Sequence, residues 1–463
     1  MSDNEGEQFK VYKNDTRIPC KYGIKCYQKN AVHHKKYKHP PTKEIEEGKG
    51  VKYTAISKKR KKKDINQESN SFPAKKLQKE DNEIFYEDLH SAVSTIKNNI
   101  PENNDNLCKV IKISENLSHT ETVKNLNNLI TIRSVLKGAN INIENDKIPS
   151  AIAKTIISHL FLTDMPEDFF QFYEFCKSIS EKDPLNALKD LHLQLVGPYD
   201  IFKEGFVNCK IKDKEALLCH WRYYYDPPEF QTIIKDNGID GLHFGYWRDD
   251  ILETPVFVAK NKATLNCIFE PIAENIFSSL NEYIREKLIL ASPFEKIRIA
   301  QLHQKLKNFA KKKKISLEKK TENMQAREKQ VVTRTFHKAG IVVPYNNKTQ
   351  LGYRDLAVTD NELQKILEQI EHTLTPEAKK IWVAKLEEII RLAIIAADEC
   401  DFGTVLELGH DLFSSGVSSI QTKTLNLLSL AYNFLQRPQL LHIVQAHLKN
   451  RSKSLDLSVL QFD

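Results

Sequence analysis

Apolar positions recur every three to four residues in IPSAIAKTIISHLFL (148–162), the spacing one buried helix face requires. The same spacing continues in MPEDFFQFYEFCKSI (165–179), where Pro166 suits a helix start. The pattern then changes. Leu218–Tyr225, Phe230–Ile234, His243–Trp247, Val256–Ala259 and Asn266–Phe269 are rich in aromatic and β-branched residues, with turn signals at Pro227–Pro228 and Asn237–Gly238. These runs predict a mostly antiparallel sheet. Residues 270–332 return to helix, interrupted by the basic run Lys311–Lys314. Beyond Val342–Val343–Pro344 and a loop around Tyr353, the pattern is helical almost to the end. Pro376 fits the first turn of a long helix capped by Thr375. Ile381, Ala384, Lys385, Ile389, Leu392, Ala393 and Ala396 trace its apolar face, with Lys385 as a stem on the edge. TLNLLSLAYNFL (424–435) reads as a further buried helix. The fold class is therefore α+β, with an α+β part over 148–332 and a mainly helical part over 333–463.

Before residue 148 the chain is different. Residues 41–147 carry an Asn-rich tract around KNNIPENNDN and too few apolar positions for a core, and so predict a basic, largely disordered linker. Of 69 Lys+Arg and 61 Asp+Glu, the first 80 residues hold 21 and 10, leaving 48 and 51 for the rest. The whole positive excess thus sits in an N-terminal arm suited to a polyanion or an import receptor. Lys58–Lys63 are six successive basic residues and fit nuclear import, or else a solvated linker. No apolar run reaches the ~18 residues that span a bilayer, and the polar start MSDNEGEQFK is no secretory signal, so no membrane partner is expected.

Six of the eight cysteines are scattered and predict free thiols. Cys20 and Cys26 are followed by His33 and His39, a C-x5-C-x6-H-x5-H spacing. Four N/S donors suit a closed tetrahedral zinc site, and a unit of residues 17–40 is too short to fold without metal. His34 is an alternative ligand by proximity. Arg17, Cys20, Tyr22, Gly23, Cys26, Lys29, His33, Tyr37 and His39 together resemble the poly(ADP-ribose)-binding zinc finger. The resemblance implies that Tyr22 and Tyr27 stack on adenine, with Arg17 a helper at phosphate. Gln28 stands where that family favours a basic residue.

At the end of the long helix, IIAADECDFG places Asp398 and Glu399 against the negative end of the helix dipole. Residues set against a local rule are candidate functional groups, and a carboxylate there suits a general base. The plain alternative is that Asp398 or Asp401 caps the next helix and Glu399 is solvated. His337 reads as structural, since no Ser or Cys stands at nucleophile spacing, and His220 and Trp221 read as packing residues of a strand. No phosphate-cradling glycine motif is present.

LQLVGPYDIF, HWRYYYDPPEFQTII, RTFHKAGIVVP, LGYRDL, ADECDFGTVLELGHDLF and LAYNFLQR closely resemble the histone PARylation factor 1 family over about residues 148–455. The finger ahead of that region resembles the arrangement in insect members; vertebrate members lack it. The resemblance implies an accessory factor, not an enzyme alone, that docks on the catalytic domain of a DNA-break-activated poly(ADP-ribose) polymerase and completes a joint active site. The polymerase binds NAD. Glu399 would deprotonate acceptor serines of histones and other proteins. Tyr353, Arg354 and Asp398 would dock the polymerase, with Arg354 also holding the glutamate. Zinc in the finger, nuclear and chromatin localisation at DNA damage, and a monomer outside the complex complete that picture. A reader-adaptor that binds ADP-ribose polymers without catalysis is the second function the residues allow.

Overall fold

The strand-like runs at the centre of the chain do pair in the computed structural model, which describes residues 12, 15–19, 35, 37–39 and 129–462. In the N-terminal unit, β1 (Ile18–Pro19) runs parallel to β2 (Tyr37–Lys38). That pairing sets the residues just before Cys20 beside those just before His39. Lys38 Nζ donates to the Tyr12 and Asp15 carbonyls at 3.1 and 2.7 Å. The Arg17 guanidinium grips the Asp15 carboxylate at 2.5 Å and holds its pKa down at about 2. Cys20, Tyr22, Cys26, Tyr27 and His33 lie outside the described residues, as does most of the linker expected over 41–147.

The last part of that segment is built into the larger unit. β3 (Ile130–Thr131) pairs with β5 (Lys210–Ile211), and α1 (Ile132–Gly138) buries Ile132 and Leu136. The two apolar residues are anchored by a strand from a distant part of the sequence, which is why local composition reads as tether. α2 (Ser150–Phe161) and α3 (Glu167–Ile179) follow as the periodicity predicts, with Pro166 at the N-cap of α3.

A five-stranded antiparallel sheet forms the centre, in the order β4 (Leu193–Leu195), β6 (Phe230–Asp236), β7 (Leu242–Trp247), β8 (Phe257–Lys262), β9 (Glu270–Ala273). Every residue of β7 is buried because both faces are covered. Leu242, Phe244 and Tyr246 join the core of the α+β part. Trp247 packs on the other face with Phe230, Phe257, Phe269 and Ala339. Pro271 is tolerated in β9 because that strand is an edge.

Two predicted strands are corrected. Leu218–Tyr225 is a 3-10 turn (Glu215–Cys219) followed by irregular backbone, with Trp221 left-handed at φ 54. The buried Arg222 guanidinium donates to the Leu218, Pro227 and Phe230 carbonyls, replacing the bonds a ladder would supply. Asn266–Phe269 precedes its strand: the Asn261 amide takes the Asn266 and Ile268 carbonyls, and pairing begins at Glu270.

Helices α4 (Ile276–Leu290), α5 (Pro293–Lys313) and α6 (Glu322–Gln330) complete this part. Lys311–Lys313 form the last turn of α5 rather than interrupting it, and all are exposed. Cations at a helix C-terminus offset the dipole.

The helical part comprises α7 (Asp360–His372), α8 (Pro376–Asp398), α9 (Phe402–Ser415), α10 (Gln421–Phe434) and α11 (Pro438–Asn450). α8 starts at Pro376 as expected, but Thr375 makes no side-chain cap bond. Its buried residues are Leu386, Ile389, Ala393, Ile395, Ala396 and Ala397, whereas Ile381 is exposed. In the early turns Trp382 and Val383 pack against the core in place of Ile381 and Ala384, so the apolar face there is rotated from the predicted one. Lys385 lays its ammonium over the Trp382 ring at 4.1 Å instead of lining the face. α9 is buried over nearly its whole length, and its polar side chains must therefore find partners inside. No helix among the described residues is long and apolar enough to cross a membrane. Cys176, Cys209, Cys219, Cys267 and Cys400 are free thiols.

Candidate functional site

The site is built where α8 stops and α9 starts. Glu399 caps α8 with near-helical backbone (φ −95), and Cys400 turns left-handed at φ 70. The Asp401 N–H then bonds back to the Ala396 carbonyl at 2.9 Å. A left-handed residue after a helix is usually glycine, so Cys400 holds this reversal at some backbone cost. Three residues, Glu399–Asp401, link the two helices. Asp398 is exposed at the tip, and the Glu399 side chain is 15% exposed.

The second half of the site comes from the turn after Pro344. Gly352 sits at φ 112, and a Cβ there would lie 2.1 Å from the Pro344 carbonyl oxygen, so this position requires glycine. Its N–H donates to Asp401 Oδ1 at 3.0 Å, and its carbonyl accepts the Gly403 N–H at 2.8 Å. Gly403 in turn leaves room for that approach, because a Cβ would fall 3.0 Å from the Gly352 oxygen. The Thr404 hydroxyl accepts the Arg354 N–H at 3.1 Å and donates to the Arg354 carbonyl at 2.7 Å. Both backbone groups of Arg354 are thus fastened to the first turn of α9.

So held, the Arg354 guanidinium reaches between two carboxylates. Nη1 donates to Glu399 Oε2 at 2.6 Å, and Nε stands 3.5 Å from Asp401 Oδ2. Asp401 is 2% exposed and Arg354 14%. The structure therefore brings together three of the predicted residues, Tyr353, Arg354 and Glu399, with Asp398 next to Glu399. Glu399 is not a solvated end group, and Asp401 spends its carboxylate on Gly352 and Arg354 rather than on a helix-cap bond.

Tyr353 packs partly buried against the helical core, and burial pushes its phenol far above the usual range. Its hydroxyl donates to Asp355 Oδ1 at 3.4 Å and also interacts with Thr333 and Glu407. Glu407, 4% exposed, accepts from Thr333 Oγ1 at 2.6 Å. Burial raises the Glu407 pKa to about 7. The folded chain then keeps a proton that the unfolded chain releases near 4.5, so this group lowers stability as pH rises from there to about 7. Glu407, Thr404 and Gly352 escaped the sequence reading. The available signal was polar residues at three- and four-residue steps in α9: Asp401, Thr404, Glu407 and Asp411.

The histidines are structural, as expected. The buried His220 pairs its Nε2 with Asp200 Oδ2 at 2.8 Å and accepts the Val459 N–H on Nδ1 at 3.2 Å. Burial holds His337 well below the ordinary histidine range, and its Nδ1 accepts the Ala339 N–H at 3.2 Å.

Comparison with known proteins gives the family. The model for histone PARylation factor 1 matches residues 152–451, and that for the PBZ domain matches residues 17–42. Histone PARylation factor 1 of Bos taurus is 40% identical over 311 residues, 66% of this chain and 88% of the relative. The Mus musculus protein is 40% identical over 302 residues, covering 64% and 86%. That of Danio rerio is 39% identical over 299 residues, covering 64% and 85%. The site lies inside the matched region and the Cys/His cluster inside the PBZ match; this chain belongs to the histone PARylation factor 1 family and carries a PBZ domain ahead of the family region.

Proposed function

We propose that this chain is an accessory factor of a poly(ADP-ribose) polymerase, directing ADP-ribosylation to serines of histones and other proteins. The observation that carries the reading is the carboxylate of Glu399, aimed from a helix end by the Arg354 guanidinium at 2.6 Å. A serine hydroxyl is a poor nucleophile at neutral pH and needs a base beside it. Glu399 is that base. Arg354 fixes one carboxylate oxygen and so the direction of the group. Asp398 and Tyr353, on either side of the pair, dock the polymerase with Arg354. NAD and the reacting ribose belong to the partner, so this chain is no enzyme alone. Its place of action is the nucleus, at chromatin near DNA breaks.

The test is reconstitution with an activated polymerase, NAD and a histone peptide. Serine-linked product should appear with the chain and be absent without it. Equal serine-linked product in both reactions would sink the reading in favour of a reader-adaptor.

The PBZ domain adds recruitment. Its two thiolates and two imidazoles, Cys20, Cys26, His33 and His39, are a donor set that fits structural zinc, which would supply the folding energy so short a unit lacks. Tyr22 and Tyr27 would stack on adenine. Arg17, whose guanidinium is paired with the Asp15 carboxylate, would exchange that partner for a phosphate to help there. Tyr22→Ala with Tyr27→Ala should weaken polymer binding by about 1–3 kcal/mol per lost stack, taking nucleobase stacking as the analogue. Zinc content should stay the same. Titration with ADP-ribose polymer checks this, and unchanged affinity of the double variant excludes the surface.

A further inference from the structure

A recess of about 590 Å³, sharing no residue with the Glu399 site, opens between α2, the 3-10 turn at Glu215–Cys219, the loop after β7 and the first turn of α11. That volume is usual for a small-molecule site. Its cations come from two elements. Lys154 and His159 stand on α2, and Lys214 stands at the cap of the 3-10 turn. Neither lysine has an ion-pair partner among the described residues. The acids beside them in sequence are spent elsewhere. Asp213 Oδ1 accepts the Ala216 N–H at 2.8 Å, and Asp250 Oδ2 stands 3.4 Å from the Arg437 Nε. Asp164, at an exposed position, is the one carboxylate on the lining. The recess is therefore a place of net positive charge.

We propose that this recess binds a nucleoside diphosphate, its phosphates held by Lys154, Lys214 and His159 and its base laid against Leu252. The charge selects an anion. Burial and the neighbouring Lys214 both lower the His159 pKa, so the two side chains oppose each other's charge until an anion stands between them. The other polar groups suit the same ligand. Ser158 brings a hydroxyl one helical turn beyond Lys154. Thr163 is 3% exposed, yet its hydroxyl has no hydrogen-bond partner, a cost that a ligand oxygen would remove. Gln439 is the second residue of the 13-residue α11, whose positive end favours phosphate. Size and the far wall argue for more than a lone phosphate. Leu252 is 82% exposed beside the buried Ile251, and both line the recess, an apolar surface on which a base can lie. The inference is independent of the roles given above to Glu399, Arg354 and Tyr353.

The test is calorimetric titration of the full-length chain with ADP, adenosine and inorganic phosphate. The chain carries Tyr22→Ala and Tyr27→Ala throughout, so that the finger's proposed stacking surface does not contribute. ADP should bind one to one, and adenosine and phosphate should each bind at least about tenfold more weakly. Adding Lys154→Gln and Lys214→Gln should weaken ADP by about tenfold or more, the worth of one charge-assisted hydrogen bond. Neither lysine is paired in the fold, so circular dichroism should show the variant folded. Lys154→Arg with Lys214→Arg keeps the charge and should keep most of the affinity. Leu252→Ser should weaken ADP and leave phosphate unchanged. No ADP binding at about 1 mM overturns the proposal. So does a double glutamine variant that binds ADP as before, or adenosine that binds as tightly as ADP. Phosphate as tight as ADP, with Leu252→Ser without effect, overturns the nucleoside assignment.

Discussion

Glu399→Gln should lower serine-linked ADP-ribosylation by about 10²–10⁴-fold in the reconstituted reaction, the usual worth of a general base. The amide has the size of the carboxylate but cannot accept the proton. Docking should largely survive, because the Gly352, Asp401 and Thr404 bonds that set the loop do not involve Glu399. Modification of aspartate and glutamate acceptors should persist, since an ionised carboxylate needs no base. Asp398→Asn should act in the other direction, weakening association more than turnover at saturating factor, because its exposed position at the helix tip suits contact with a partner. Hydroxylamine separates the two products: ester linkages are cleaved and serine ethers are not. Near-normal serine-linked product from Glu399→Gln at saturating factor would falsify the base assignment and leave the chain an adaptor.

The contrast between these two neighbours is a matter of backbone geometry, which the sequence only half disclosed. Adjacent carboxylates at a helix C-terminus stand out against the dipole, and the helix boundary itself was legible from Pro376 and the apolar steps that follow. What the spacing could not supply was the partner. Arg354 and Glu399 are 45 positions apart, and they meet only because Gly352 and Gly403 allow two backbones to touch. Composition shows glycines; it does not show which glycines face each other. The same limit explains the strands. Phe230–Ile234 and His243–Trp247 were readable because Asn237–Gly238 separates two apolar runs, a local signal. Leu218–Tyr225 has equal strand character, yet Arg222 gathers the surrounding carbonyls into an irregular turn, a long-range polar effect that propensity ignores. Residues 129–147 failed in the opposite sense, being poor in local signal but pinned by pairing with Lys210–Ile211. The polar stripe of α9 was visible all along. Polar residues three and four apart within LELGHDLF look like a solvated face until the helix is seen to be buried on every side.

Arg354→Ala should weaken association with the polymerase catalytic domain by about 2 kcal/mol or more, roughly 30-fold in Kd. The guanidinium is already 14% exposed beside Glu399 and Asp401, so its removal leaves two carboxylates close together with their shared cation gone. Like charges that close repel, and the Glu399 side chain should swing toward water. Serine modification should therefore fall even at saturating factor, unlike the outcome expected for Asp398→Asn. Arg354→Lys should restore little, because a single ammonium cannot address Glu399 and Asp401 along two edges as the planar fork does. Tyr353→Ala should weaken docking in the same direction, while Tyr353→Phe should keep most of the affinity if the packed ring is the anchor. Calorimetry with the isolated catalytic domain reads these affinities directly, and circular dichroism establishes that each variant is folded. Arg354→Ala and Tyr353→Ala proteins that both bind like wild type would remove this loop from the interface, and Glu399 would then need another route to the acceptor serine.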